Sequence, residues 1–200
     1  MRTLKTIGFW FVQCTWGCIM TLIGAIATLG LIIFAKAKPY HIGPVVYTKF
    51  GHNWGGVELG GFFICCHESQ EHTKLHESGH SLQNMIWGPL MPFVVCIPSA
   101  TRYWLREFDG HLKKSLFNLF YLLSALALTT LLAVLFGPVI PGLKWLTILC
   151  EVLRIYFLLV SIWMSTIEIP KYDKGYVPYD SIWFEGQATR WGEKVFSKYL

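Results

Sequence analysis

The chain has 200 residues, of which 54% are hydrophobic, 16% aromatic and only 14% charged. Water-soluble domains carry roughly 25% charged residues, so this balance excludes a soluble globular domain, a disordered chain and a soluble coiled coil, and points to lipid as part of the solvent. The net charge of +5 comes without a basic run, which argues against nucleic acid and for membrane lipid as a partner.

In chain order, the first apolar run extends from Ile7 to Ala35 without a charge, preceded by Arg2 and Lys5 and followed by Lys36 and Lys38. It is far longer than the roughly 7–15 residues of a secretory h-region and long enough to span a bilayer, so residues 1–38 are expected to form a first transmembrane helix. Residues 39–115 then form an extramembrane segment. In it, the stretch from Val57 to Ile64, flanked by Trp54-Gly55-Gly56, is strand-like. It either pairs with an extended peptide or forms one arm of a small β-ribbon with the stretch from Pro44 to Phe50.

Next comes Thr73-Lys74-Leu75-His76-Glu77-Ser78-Gly79-His80-Ser81-Leu82-Gln83, which contains HExxH. Two histidines four apart lie on one face of a helix, where both imidazoles reach one metal ion and Glu77 points at the metal's water. Thr73 reads as the N-cap, Leu75, Leu82, Met85 and Ile86 as the apolar stripe, and Gly79 as a place for close packing under the metal. His67 and His72 are expected off the His76 face, in surface or supporting roles. The apolar segment 85–100 is broken by Pro89, Pro92 and Pro98 and is expected to be re-entrant, interfacial or a cover for a core.

Two further runs, Leu116 to Ile140 and Trp145 to Ile167, are separated by Gly137-Pro138 and Pro141-Gly142 and read as a transmembrane hairpin over residues 116–167. Glu151 and Arg154, three apart, are expected to pair or snorkel near the membrane end; an ion path, and with it a channel or transporter, rests on them alone. Residues 168–200 form a tail. Three spans put the long loop and this tail on one side, and their excess of lysine and arginine makes that side cytoplasmic in a multi-pass protein of the cell membrane. The six cysteines form no CxxC pair and are expected to be buried thiols in a reducing compartment. The expected fold is therefore mainly α: an integral membrane protein with about three transmembrane helices, an HExxH helix and a small β-ribbon in the extramembrane part.

The tail contains Trp183-Phe184-Glu185-Gly186-Gln187-Ala188-Thr189-Arg190-Trp191-Gly192. His76, Glu77 and His80, followed by Glu185 with Ala188 three residues on, resemble the gluzincin class of zinc metallopeptidases. The layout is similar to its integral-membrane members of the HtpX and CAAX-prenyl-protease type. The stretch HExGHxxQ, with Gly88-Pro89, Ile97-Pro98-Ser99 and then Glu185, Ala188 and Gly192, is more closely similar to uncharacterised bacterial metallopeptidase-like segments, some at the ends of Rhs-type proteins. The resemblance covers residues 54–99 and 181–192.

It implies Zn2+ held by His76, His80 and Glu185, with the tail supplying the third ligand and Glu77 as the catalytic residue that moves a proton from water to the leaving nitrogen of a protein or peptide substrate. Many gluzincins carry Asp four residues after the ligand glutamate, against a ligand histidine. Here Thr189 stands there, with Asp180 as a second candidate for that supporting role. Tyr179, His72, Tyr172 and Tyr176 are the candidates for oxyanion stabilisation. Site-2 proteases also carry HExGH with a later Asp-Gly, which Phe108-Asp109-Gly110 matches superficially, but Glu68, Glu71, His72 and Lys74 do not belong to a helix in hydrocarbon. The expected function is a membrane-anchored zinc metallopeptidase acting near the bilayer surface; the alternative is a non-catalytic metal-binding or structural membrane protein with a degenerate site.

Overall fold

The computed structural model describes residues 2–136 and 144–200. Its elements run α1 (Arg2–Cys14), α2 (Cys18–Ala35), β1 (Pro39–Ile42), β2 (Val45–Lys49), β3 (Gly56–Leu59), β4 (Phe62–Cys65), α3 (Glu71–Trp87), α4 (Ile97–Arg106), α5 (His111–Phe136), α6 (Lys144–Trp163), α7 (Ile169–Asp173) and α8 (Trp183–Phe196). The chain divides into two units, one made of Met1–Ile97 with Pro178–Leu200, the other of Pro98–Val177. Among the described residues, three helices are long and apolar enough to cross a membrane: Cys18–Ala35 in the first unit, His111–Phe136 and Trp145–Asp173 in the second. The expected hairpin breakers, Gly137-Pro138 and Pro141-Gly142, lie outside the described residues.

In the first unit the apolar run from Ile7 to Ala35 does not form one helix. It breaks at Thr15-Trp16-Gly17, where the junction and α3 are joined by side chain-to-backbone hydrogen bonds in both directions. Trp16 Nε1 donates to the Ile86 carbonyl at 3.0 Å and Asn84 Nδ2 to the Gly17 carbonyl at 3.1 Å. Fully buried Gln13 completes the junction, donating to the Ser81 carbonyl at 2.9 Å while its Oε1 accepts from Asn84 at 2.6 Å and from the Thr21 hydroxyl at 3.0 Å. The apolar N-terminal run is thus tied to the HExxH helix by a buried polar network, which hydropathy alone does not reveal.

The buried side of α2 is Met20, Thr21, Gly24 and Thr28, one stripe at helical spacing, whereas Leu22, Ile23, Ile26, Leu29 and Ile33 are exposed. Small and polar residues inside with large apolar ones outside is the arrangement that lipid favours. The strands form one sheet in the order β1-β2-β4-β3, with β2 and β4 parallel and the other neighbours antiparallel. It is larger than the expected ribbon: the arm from Pro44 to Phe50 pairs with the second half of the Val57 to Ile64 stretch, and β1 and β3 flank them. Val45, Tyr47, Phe63 and Cys65 bury one face with Leu75 of α3 and Phe196 of α8.

The helix α3 starts at Glu71, not after Thr73. Its N-cap, Gln70, makes no side-chain cap bond, and Glu71 places a carboxylate in the first turn, where the helix dipole favours negative charge. Past Trp87 the proline-broken segment continues as a 3-10 turn (Gly88–Leu90) and a π-helix (Pro92–Cys96). Met91 and Val95 from it pack with Met20 and Phe184, so this segment covers a core.

The described residues of the second unit form helices joined by short turns, with no strand among them. Arg102 and Glu168, each 1% exposed, form an ion pair at 3.0 Å, and Lys171 meets the other carboxylate oxygen at 2.9 Å. Asn118 of α5 donates to the Ser161 carbonyl and to Ser165 Oγ at 3.0 and 2.6 Å. Arg154 pairs with Glu151 as expected and also reaches Thr129 and Thr130 of α5 at 3.3 and 3.1 Å, so the pair ties α5 to α6.

Candidate metal centre

Helices α3 and α8 touch backbone to backbone, and two glycines permit it. A Cβ on Gly79 would lie 1.9 Å from the Ala188 carbonyl oxygen, and one on Gly192 would lie 1.9 Å from that of Leu75. This close crossing carries Glu185 from the tail to the histidine pair. His76 Nε2, His80 Nε2 and Glu185 Oε2 form a triangle with edges of 3.1, 3.1 and 3.2 Å. Their side chains are only 10%, 8% and 0% exposed.

Hydrogen bonds at the far ring nitrogens define what these atoms present. Thr189 donates its hydroxyl to the Glu185 carbonyl at 3.2 Å, so it accepts at 2.9 Å from His76 Nδ1. Gln83 donates its amide nitrogen to the Phe184 carbonyl and to Gln187 Oε1, at 2.7 and 2.9 Å, so its Oε1 accepts from His80 Nδ1 at 2.7 Å. Both imidazoles therefore carry hydrogen on Nδ1 and turn Nε2 toward the carboxylate.

Three such atoms about 3 Å apart in a buried space require positive charge among them, supplied by a cation or by a proton on a histidine. Four tetrahedral ligands at about 2.0 Å from a zinc ion stand roughly 3.3 Å apart, which the observed edges approach. Glu185 Oε1 is also buried without a partner among the described residues, a carboxylate oxygen left for a cation. The donor set and its spacing fit a divalent ion, and His76, His80 and Glu185 are the one group of three such ligands found among the described residues.

The same contacts shift the charges of these groups. His80 is pushed down by burial, but the Glu185 carboxylate bonded to it, with Glu77 and Glu58 nearby, outweighs this and raises it to about 9. Burial pushes the Glu185 carboxyl up, and the two histidines reverse this to hold it well below the usual carboxylate range. Burial raises Glu77, opposed by the same histidines.

Glu77 sits one position along α3 from His76, against β3. Its Oε1 would lie 2.8 Å from a Cβ on Gly56, so any side chain there displaces it, and its carboxylate accepts the Glu58 N–H. In the β3–β4 ladder Cys66 N bonds to the Gly55 carbonyl, so the Val57–Ile64 and Leu59–Phe62 pairs are the hydrogen-bonded ones. Gly56 and Glu58 consequently turn their backbone groups to the free edge of the sheet, beside Glu77.

Tyr179 and His72 both approach His76, with ring centroids 6.0 and 6.4 Å away. For His72 this corrects the sequence reading: a spacing of four residues places it one turn before His76 on the same face. Asp180 is exposed and meets α8 through its carbonyl oxygen, against Gly186; the hydroxyl at His76 is that of Thr189. Tyr172 and Tyr176 belong to the second unit, near Lys114 and Arg106.

Sequence reasoning passed over four participants. Gln83, present in the HExGHxxQ string, orients His80, and Gln187 steadies Gln83. Gly56 makes room for Glu77. Glu58 is buried with Oε1 on the Gly60 N–H at 2.5 Å, and burial pushes its carboxyl up to about 8. For Glu58 the signal was an acid in an otherwise apolar strand. No protein-family model, curated protein or solved structure matches this chain.

Proposed function

We propose that the protein is a membrane-anchored zinc metallopeptidase that hydrolyses peptide bonds near the bilayer surface. The observation that carries this reading is the buried triangle of His76, His80 and Glu185 with Glu77 beside it, in a unit whose α2 is apolar enough to span. A Zn2+ ion held by these three residues supplies Lewis acidity that makes water a nucleophile near neutral pH and polarises a carbonyl. Glu77, fixed by the Glu58 N–H, takes the proton of the attacking water on its carboxylate and delivers it to the leaving nitrogen. The free edge of β3 at Gly56 and at the Glu58 carbonyl accepts an extended peptide as an added strand, so main-chain bonds present the scissile carbonyl. Tyr179 and His72, nearest to His76, donate to the developing oxyanion. The excess of lysine and arginine in 39–115 and 168–200 puts the site on the cytoplasmic face; labelling of a cysteine at Ser197 only from outside the cell would overturn that.

The deciding comparison is Glu77→Gln. Zinc content near wild type with cleavage of a casein or peptide-library substrate abolished is expected; retained cleavage removes the peptidase reading. A second reading, a metal-binding protein without catalysis, draws on the low exposure of the ligand side chains. It requires stoichiometric zinc with no wild-type cleavage in membranes or in detergent.

A further inference from the structure

The C-terminal end of α2 opens onto a cavity apart from the metal ligands. Its volume is about 370 Å3, and Lys36, Lys38, Lys49 and His67 line it together with the rings of Tyr40 and Phe50; no acidic residue is in the lining among the described residues. Lys49 is held in place, with Nζ 3.5 Å from the His67 carbonyl and 5.9 Å from the centre of the Tyr40 ring. The acid next to His67 in sequence, Glu68, is taken up by His52. The C-terminus of a helix carries roughly half a negative charge, which accounts for one lysine there and not for three.

Two features say what such a cavity takes. Its size is at the small end of the roughly 300–1,000 Å3 of ligand pockets, enough for a headgroup. Immediately before it, Ile33 and Phe34 are 58% and 88% exposed, so a cationic hollow adjoins an uncovered apolar surface, and the complementary ligand is an anionic amphiphile. The depth agrees: the 18 residues of α2 rise about 27 Å, close to the roughly 30 Å of a hydrocarbon core, which sets Lys36 and Lys38 at the level of phosphates.

We propose that this cavity binds a phosphate-bearing anion, the headgroup of an anionic phospholipid whose acyl chains lie along Ile33 and Phe34 of α2. The proposal rests on the reading of α2 as a membrane span. Removing a lysine near an anionic surface lowers affinity about fivefold, so Lys38→Gln with Lys49→Gln lowers it about 25-fold.

The test uses the full chain in detergent, with bound lipid counted by native mass spectrometry after exchange from vesicles of phosphatidylglycerol or phosphatidylcholine. The expected result is selective retention of phosphatidylglycerol, lost in the Lys38→Gln, Lys49→Gln variant and kept in Lys194→Gln, Lys198→Gln, which changes net charge equally at two exposed positions in α8 and just after it. Equal loss in both variants, or retention unaffected by either, overturns it. A parallel titration with inorganic phosphate separates the sources: lysine-dependent binding of phosphate alone keeps the anion site and assigns it to a free phosphate. Resistance of the chain to carbonate extraction from membranes tests the span independently, so loss of the span and loss of the site give different results.

Discussion

Thr189 holds His76 with a neutral hydroxyl that is also committed to the Glu185 carbonyl. A carboxylate in that place would make a charge-assisted bond, roughly twice as strong, and a more basic imidazole. Thr189→Asp is therefore expected to tighten zinc binding on the order of tenfold, and Thr189→Val, which removes the acceptor, to weaken it by a similar factor. Competition with a chromophoric chelator measures both; a valine variant of unchanged affinity would mean that the hydroxyl does not position the ring. At this scale the sequence was legible where chemistry repeats with the helix period, as in His76 and His80. It was illegible where a residue acts through a partner far along the chain. Gln83 works through Phe184 and Gln187, and Gly56 through the carboxylate of Glu77, and no local pattern carries either pairing.

Between elements, the decisive contact is the crossing of α3 and α8. Alanine normally favours a helix over glycine by about 1 kcal/mol, yet a methyl on Gly79 or Gly192 would overlap a carbonyl oxygen at 1.9 Å, and backbone cannot step aside as a side chain can. Overpacking of this kind costs about 1–3 kcal/mol or more, so the net effect of Gly192→Ala is destabilising. It also separates the helices that hold the ligands, so zinc stoichiometry is expected to fall together with thermal stability. Gly30→Ala on α2, where a Cβ meets nothing within 4 Å, is expected to leave both intact. If Gly192→Ala bound zinc normally, the close crossing would not be what assembles the site. The spans were legible because hydropathy is a sum over many residues and tolerates local errors. The break at Thr15–Gly17 was not, because Trp16 and Gln13 look like interruptions of an apolar run until Ile86, Ser81 and Asn84 are in place to receive them.

On the scale of the whole chain, the first unit is discontinuous. Its two parts, Met1–Ile97 and Pro178–Leu200, are separated in sequence by the second unit, and Glu185 lies 105 residues after His80. A contact so distant in sequence costs loop-closure entropy, which grows only slowly with loop length, and it is offset by the apolar surface that Phe184 and Phe196 bury. A metal ion bound by residues from both parts stabilises only the assembled state, since the unfolded chain does not bring the three ligands together. Saturation at about 1,000 times the dissociation constant contributes about 4 kcal/mol, on the order of 10 °C in melting temperature for a unit of this size. Chelation is accordingly expected to lower the melting temperature of the wild type by that order and to expose the tail after Val177 to protease. In Glu185→Ala, which keeps both histidines but not the link between the two parts, zinc and chelator are expected to shift the melting temperature far less. An equal shift in that variant would place the metal on the histidines alone and leave the tail held by packing of α8 against α3.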